Sequence, residues 1–141
     1  MSKKIIVSGA GCCLVDMLYN DIDFKSQNMA PFLSKKRGDG GLVPGNLVFT
    51  EEFEIFSGIP VSQALEKITG GRKHDQLNIG GPSIVSLINI TQLVDKYQCE
   101  VRYYGLGGND EMGRFLVDAL GRTRVQLRNY RLIDRSTPST I

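Results

Sequence analysis

Three groups of residues in this sequence could do chemistry. Asp16 is a lone carboxylate in the apolar run Leu14-Val15-Asp16-Met17-Leu18. A carboxylate in such surroundings must be hydrogen-bonded or used by a ligand, and taken alone a structural hydrogen bond is the commoner answer. Gly80 and Gly81 precede Pro82 and an amphipathic stretch. Paired glycines let a ligand come close to main chain, and the free N–H groups of the following helix favour a polar or anionic group. The plain alternative is a tight turn into a packed helix. The third group is the glycine-rich turn Tyr104–Phe115, YGLGGNDEMGRF. There Asn109 or Asp110 is suited to capping a helix, and Gly113 inside that helix costs roughly 1 kcal/mol against alanine, which points to close packing.

Other chemistries are excluded by their missing residues. Gly9-Ala10-Gly11 lacks the third glycine of a dinucleotide fingerprint, since position 14 is leucine, and no glycine-lysine-serine or threonine triplet marks a phosphate loop. The only histidine, His74, has no cysteine or histidine nearby, so metal-ligand spacing is absent and a solvated loop residue is expected. Cys12, Cys13 and Cys99 are odd in number, which fits buried thiols in a reducing cytoplasm better than a disulfide framework. With 17 basic and 15 acidic residues the charge is nearly balanced, unlike the concentrated basic face of a nucleic-acid binder. The apolar runs are too short to span a membrane, and Met1-Ser2-Lys3-Lys4 does not open a signal peptide.

The elements that must position these residues follow from pattern. One domain is the natural count for 141 residues. Lys3–Ser8 reads as a first strand whose continuous apolar centre suits burial on both faces, and Leu14–Tyr19 as a second extended run. Asp21 to Asp75 is looser: Leu47–Phe49 is a short strand candidate, Thr50 is placed to cap a helix over Glu51–Phe56, and a second helix runs from Pro60 to about Thr69, stopped by Gly70-Gly71. A helix over about 82–97, a strand over Glu100–Gly105, a turn over Leu106–Asn109 and a helix over about 110–121 come next. Short strands at Val125–Leu127 and Tyr130–Ile133 precede Ser139-Thr140-Ile141, where another strand begins and the sequence reads as cut short. Two strand-turn-helix steps in succession argue for a doubly wound or related α/β sheet.

These pieces, in this order, resemble the amino-terminal half of the PfkB carbohydrate kinases, the ribokinase-like superfamily. Gly11–Asp16, GCCLVD, is similar to the end of the family's first strand, where an aspartate grips sugar hydroxyls. Asn78–Asn89, NIGGPSIVSLIN, resembles the first family signature, and Tyr104–Phe115 resembles the glycine-rich segment after it, with Gly105, Gly108, Asp110 and Gly113 matching. Arg135–Thr140, RSTPST, looks like the family's threonine-rich turn into a strand. Val85 stands where the signature usually has a substrate-contacting asparagine, and Cys12 where close relatives often have asparagine.

The resemblance implies a ribokinase-like three-layer α/β/α sandwich with a lid-like insertion at about 22–75. It implies ATP-dependent phosphoryl transfer to a sugar or nucleoside hydroxyl, with an aspartate base and Mg²⁺. Asp16, Gly80 and Gly81 would bind substrate, and Arg37, Asp39, Gly40 and Gly41 would help close the site. No stretch matches the second signature, which carries the catalytic aspartate and anion hole. Catalytic, nucleotide and metal residues are therefore expected outside this chain, leaving a substrate-side half inactive alone. Asp110 is expected to act as a helix cap and not as a catalyst. The resemblance also implies homodimerisation through the lid, an incomplete sheet would expose an edge ready to associate, and the cysteines lead us to expect a cytoplasmic protein. The competing readings are a non-catalytic sugar-binding module and an oligomerisation module.

Overall fold

A computed structural model describes residues 4–94 and 99–141. Among them the elements run β1 (Ile5–Ala10), β2 (Leu14–Leu18), a 3-10 turn (Ala30–Phe32), α1 (Thr50–Ser57), α2 (Val61–Thr69), β3 (Gln76–Gly80), α3 (Pro82–Leu93), β4 (Cys99–Gly108), α4 (Glu111–Gly121), β5 (Gln126–Ile133) and β6 (Ser139–Thr140). The architecture is mixed α/β. The chain forms two compact units, one made of residues up to Val15 and Ile79–Pro138, the other of Asp16–Asn78 and Ser139–Ile141.

In the first unit β1, β4 and β5 form a sheet in that order, with β1 parallel to β4 and β4 parallel to β5. Chain order and spatial order agree, an arrangement in which the usual right-handed crossovers put successive helices on one face. α3 packs on β1 and β4, and α4 on β4 and β5. Val101 and Tyr103 of β4, Ile84 and Leu87 of α3, and Leu116 and Leu120 of α4 are buried. Gly9 is part of this packing, because a methyl added there would come within 2.9 Å of Leu87 Cδ1.

Among the described residues the opposite face is partly exposed. Pairing of Ile6 with Glu100, Leu106 with Arg131 and Gly108 with Ile133 puts these residues on one side with Arg102 and Tyr104. Ile6 is 49% exposed, Leu106 47%, Tyr104 41% and Ile133 37%. The expectation that the first strand is buried on both faces is therefore corrected: β1 is an edge strand with one covered face. Its span also shifts, to include Gly9 and Ala10.

β2 lies between β3 and β6, and the second unit takes the part of this sheet made by Asp16–Leu18, Gln76–Asn78 and Ser139–Thr140. Its core gathers Met29, Phe32, Phe53 and Ala64, with the Phe32 and Phe53 rings 5.9 Å apart. α1 begins at Thr50 itself, capped by Phe49 without a side-chain bond, while the Thr50 hydroxyl turns to Ser139. Leu47–Phe49 is no full strand: Val48 exchanges both main-chain bonds with Ile141 at 3.0 Å, beside an isolated bridge from Phe49 to Thr140. α2 ends at Gly70, whose φ of 67° gives the left-handed cap its glycine predicts.

Elsewhere α3 ends at Leu93, and residues 95–97 of its predicted span lie outside the described residues. β4 runs on through Leu106 to Gly108, where a turn was expected, because those residues pair with Arg131, Leu132 and Ile133. β5 is one strand, and a register shift opposite Arg102–Tyr104 accounts for its broken pattern.

Candidate functional site

A cleft of about 390 Å³ opens within the second unit. Asp16, the middle residue of β2, lines it, and its side chain is half-buried. Thr140 Oγ1 donates to Asp16 Oδ1 at 2.7 Å, so β6 fixes one carboxylate oxygen and leaves the other without a partner among the described residues. Asn78 lines the cleft too, its Oδ1 accepting from Gln76 Nε2 at 2.7 Å, which leaves its amide N–H groups available. Asn46 adds a side-chain amide with no bond among the described residues. The rest of the wall is mostly hydrocarbon, including Met17, Phe24, Met29, Leu42, Leu47 and Ile68. This arrangement can accept and donate hydrogen bonds at a few points against an apolar surface, the usual make-up of a small-molecule site.

Tyr19 lies on the same cleft, next to a clasp with no local signature in the sequence. Arg72 Nη1 holds both Asp75 oxygens at 2.6 and 2.7 Å, Arg72 Nη2 donates to the Asn20 carbonyl, and the Asn20 amide donates to Asp75. The Asn20 amide and Arg72 together hold the Asp75 carboxyl below its ordinary range. Burial pushes the Tyr19 hydroxyl up, so it stays protonated and a donor at neutral pH.

The expected closing residues line a neighbouring hollow in the same unit. Asp39 organises that loop, accepting from the Gly41, Lys35 and Lys36 amides at 2.8 to 3.0 Å, which hold its carboxyl far below the usual range. Gly41 lies against Ser34 main chain and Gly40 against the Glu52 carbonyl. These three residues thus have structural work inside the loop. Arg37 has no ion pair or hydrogen bond among the described residues.

Gly80 and Gly81 belong to the first unit. Gly80 ends β3, and Gly81 precedes α3 with φ 106°, a conformation that side chains disfavour. A side chain on Gly81 would also collide with the Cys12 carbonyl. Ser83 in the first turn of α3 donates to the Ala10 carbonyl at 3.0 Å. This turn therefore locks α3 against the end of β1, and Gly81 packs on the segment four residues before Asp16.

The glycine-rich turn is a hydrogen-bonded knot. Asp110 Oδ1 accepts from the Gly113 amide at 2.8 Å and the Thr137 hydroxyl at 2.6 Å, while Oδ2 accepts from the Thr137 amide at 2.7 Å. Thr137 Oγ1 also takes the Gly108 amide at 3.1 Å. Burial pushes the Asp110 carboxyl up, but the bonds from Thr137 and Gly113 outweigh it and hold it below the usual range. Asp110 is thus the cap of α4, and Thr137 of the RSTPST segment is its partner, invisible in sequence because 27 residues separate them.

Cys12 is exposed, Cys13 buried and Cys99 half-buried, all as free thiols. Burial pushes the Cys13 thiol up to about 12, with Tyr130 beside it, so it is inert as a nucleophile. Among the described residues no three His, Cys, Asp or Glu side chains cluster to hold a metal ion, and no helix is long and apolar enough to cross a membrane. No family model matches the chain, and a search of curated proteins finds no match.

Proposed function

We propose that the chain is the substrate-side portion of a PfkB-type carbohydrate kinase, binding a hydroxylated small molecule through Asp16. The observation that carries this reading is the Asp16 carboxylate, half-buried on a cleft, with one oxygen held by Thr140 and the other uncommitted. A carboxylate oriented in this way accepts hydroxyl protons in short, charge-assisted bonds. Support also comes from the order of the motifs and from the successive parallel β-α-β steps of the first unit. In this reading the finer fold is a ribokinase-like sandwich, and residues of about 22–75 form its lid.

The kinase reaction would use ATP and Mg²⁺ to supply and stabilise the transferring phosphoryl group. Among the described residues no three His, Cys, Asp or Glu side chains cluster, and no stretch matches the motif that carries the base. No step of the transfer is therefore assigned to this chain. Its part is to bind and orient the acceptor.

Calorimetry on the 141-residue chain tests this. A pentose or nucleoside should give binding heat that Asp16→Asn removes, while that variant keeps its acceptor for Thr140 and its melting temperature. ATP with Mg²⁺ should give none. Absence of binding by the unmodified chain, or equal affinity in the variant, would overturn the reading.

A second reading, an oligomerisation module, is favoured by the exposed Ile6, Tyr104, Leu106 and Ile133 on one face of the first unit's sheet. Sedimentation separates the two: a monomer that binds ligand supports the first, a ligand-indifferent dimer the second.

A further inference from the structure

The partly exposed face of the β1-β4-β5 sheet is graded along its strands. Near the strand starts it is charged: Lys4, Arg102 and Arg128 all bond Glu100, whose one carboxylate does not balance them. Farther along it turns apolar, with Tyr104, Leu106 and Ile133 exposed. Arg131 stands among these, paired with Leu106 across the strands and without an ion pair or hydrogen bond among the described residues. Single exposed apolar residues need no explanation, but an apolar patch with a polar rim is the mark of an interaction site.

Width, length and charge select the occupant. In a three-stranded sheet the outer strands lie about 10 Å apart, which is the width of one helix with its side chains. From Glu100 to Gly108, β4 covers about 26 Å, the length of about 18 helical residues. A second copy of the same face would set cations against cations, which association disfavours. A helix with carboxylates over Arg102 and Arg128 would instead meet the excess positive charge. The partial negative charge of a helix C-terminus adds to that attraction, which orients the helix antiparallel to the strands.

We infer that this face docks an amphipathic helix of a partner protein, its apolar stripe over Tyr104, Leu106 and Ile133 and its acidic C-terminal half over Arg102 and Arg128. The inference rests on the second reading, that this face meets another molecule, and names the partner's chemistry.

Fluorescence anisotropy of the 141-residue chain with labelled synthetic peptides of that length tests it. Every peptide carries leucines at helical spacing. One has glutamates in its C-terminal half, one has them in its N-terminal half, and one has lysines in place of the C-terminal glutamates. The C-terminal glutamate peptide should bind about ten-fold or more tighter than the lysine peptide, since facing like charges are penalised. The N-terminal glutamate peptide should fall between them. Arg128→Glu combined with Arg131→Glu should reverse the order of the glutamate and lysine peptides. Leu106→Ser should weaken the C-terminal glutamate peptide about five-fold through lost apolar burial. Arg114→Glu, a charge reversal at an exposed position of α4, should change nothing.

Absence of binding, equal affinity for glutamate and lysine peptides, or affinities that ignore Leu106→Ser overturn the inference. Equal affinity for the two glutamate peptides overturns the orientation. Sedimentation of the same proteins separates these failures from failure of the second reading. Self-association that Leu106→Ser abolishes, without peptide binding, keeps that reading and makes a second copy the occupant, whereas a monomer that binds no peptide ends both. Preference for phosphatidylserine vesicles over every peptide assigns the face to a membrane surface and overturns the inference.

Discussion

At the scale of single residues, Asp110 and Gly113 make the sharpest predictions. Asp110 gives one helix cap and receives two bonds from Thr137. Replacing a capping aspartate by alanine costs about 1 kcal/mol, and stranding the buried Thr137 donors adds a comparable penalty. Asp110→Ala should therefore lose about 2–3 kcal/mol in urea unfolding, with ligand affinity unchanged in calorimetry. Gly113→Ala sets two effects against each other. Alanine is favoured over glycine by about 1 kcal/mol within a helix. The added methyl, however, would run into the Gly108 carbonyl and come within 3.0 Å of Thr137 Oγ1. Overpacking against main chain costs about 1–3 kcal/mol, sometimes more, so the variant should be less stable in the same measurement. The cap and the glycine's crowding were legible because both act within a few residues. Thr137, Thr140 and Asn46 were not, since each acquires its role only when distant chain is brought beside it.

Among the elements, those with local punctuation were easiest to read. α2 has its Pro60 start and Gly70 stop, and α4 its aspartate cap. β3 was missed because Gln76-Leu77-Asn78 has no strand composition of its own, and its place in a sheet comes from β2 beside it. β1 was misjudged in burial because Ile5-Ile6-Val7 fits a doubly covered strand equally well. What decides the matter is the direction of winding, which short sequence patterns do not encode. β4 carries a charge centre with a testable consequence: Glu100 bonds Arg102 at 2.7 Å, Lys4 at 2.5 Å and Arg128 at 3.0 Å. The bonds from Arg102 and then Lys4 lower its carboxyl from 4.5 to about 2. A carboxyl lowered in the folded state contributes stability fully above its unfolded pKa and loses it as pH falls through the folded one. Thermal melting should therefore drop between about pH 5 and pH 2, and Glu100→Gln should flatten that part of the profile.

For the molecule as a whole, the α/β class was legible from the alternation of extended and amphipathic runs, and the division into two units was not. The looser composition of residues 21–75 gave only the sense of an insertion, whereas the second unit has its own buried aromatic core. Within the first unit, Leu106→Lys should leave urea stability within about 0.5 kcal/mol, as an outward position should. Any self-association seen by sedimentation should fall in the same variant. This face also carries Lys4, Arg102 and Arg128, all bonded to Glu100, and Arg131 farther along beside Leu106, an excess of positive charge beside the hydrocarbon. At low ionic strength two such faces repel. Adding ammonium sulfate screens that repulsion and strengthens the drive to hide oily surface. The purified chain should consequently keep best in dilute buffer and come out of solution early on salting out.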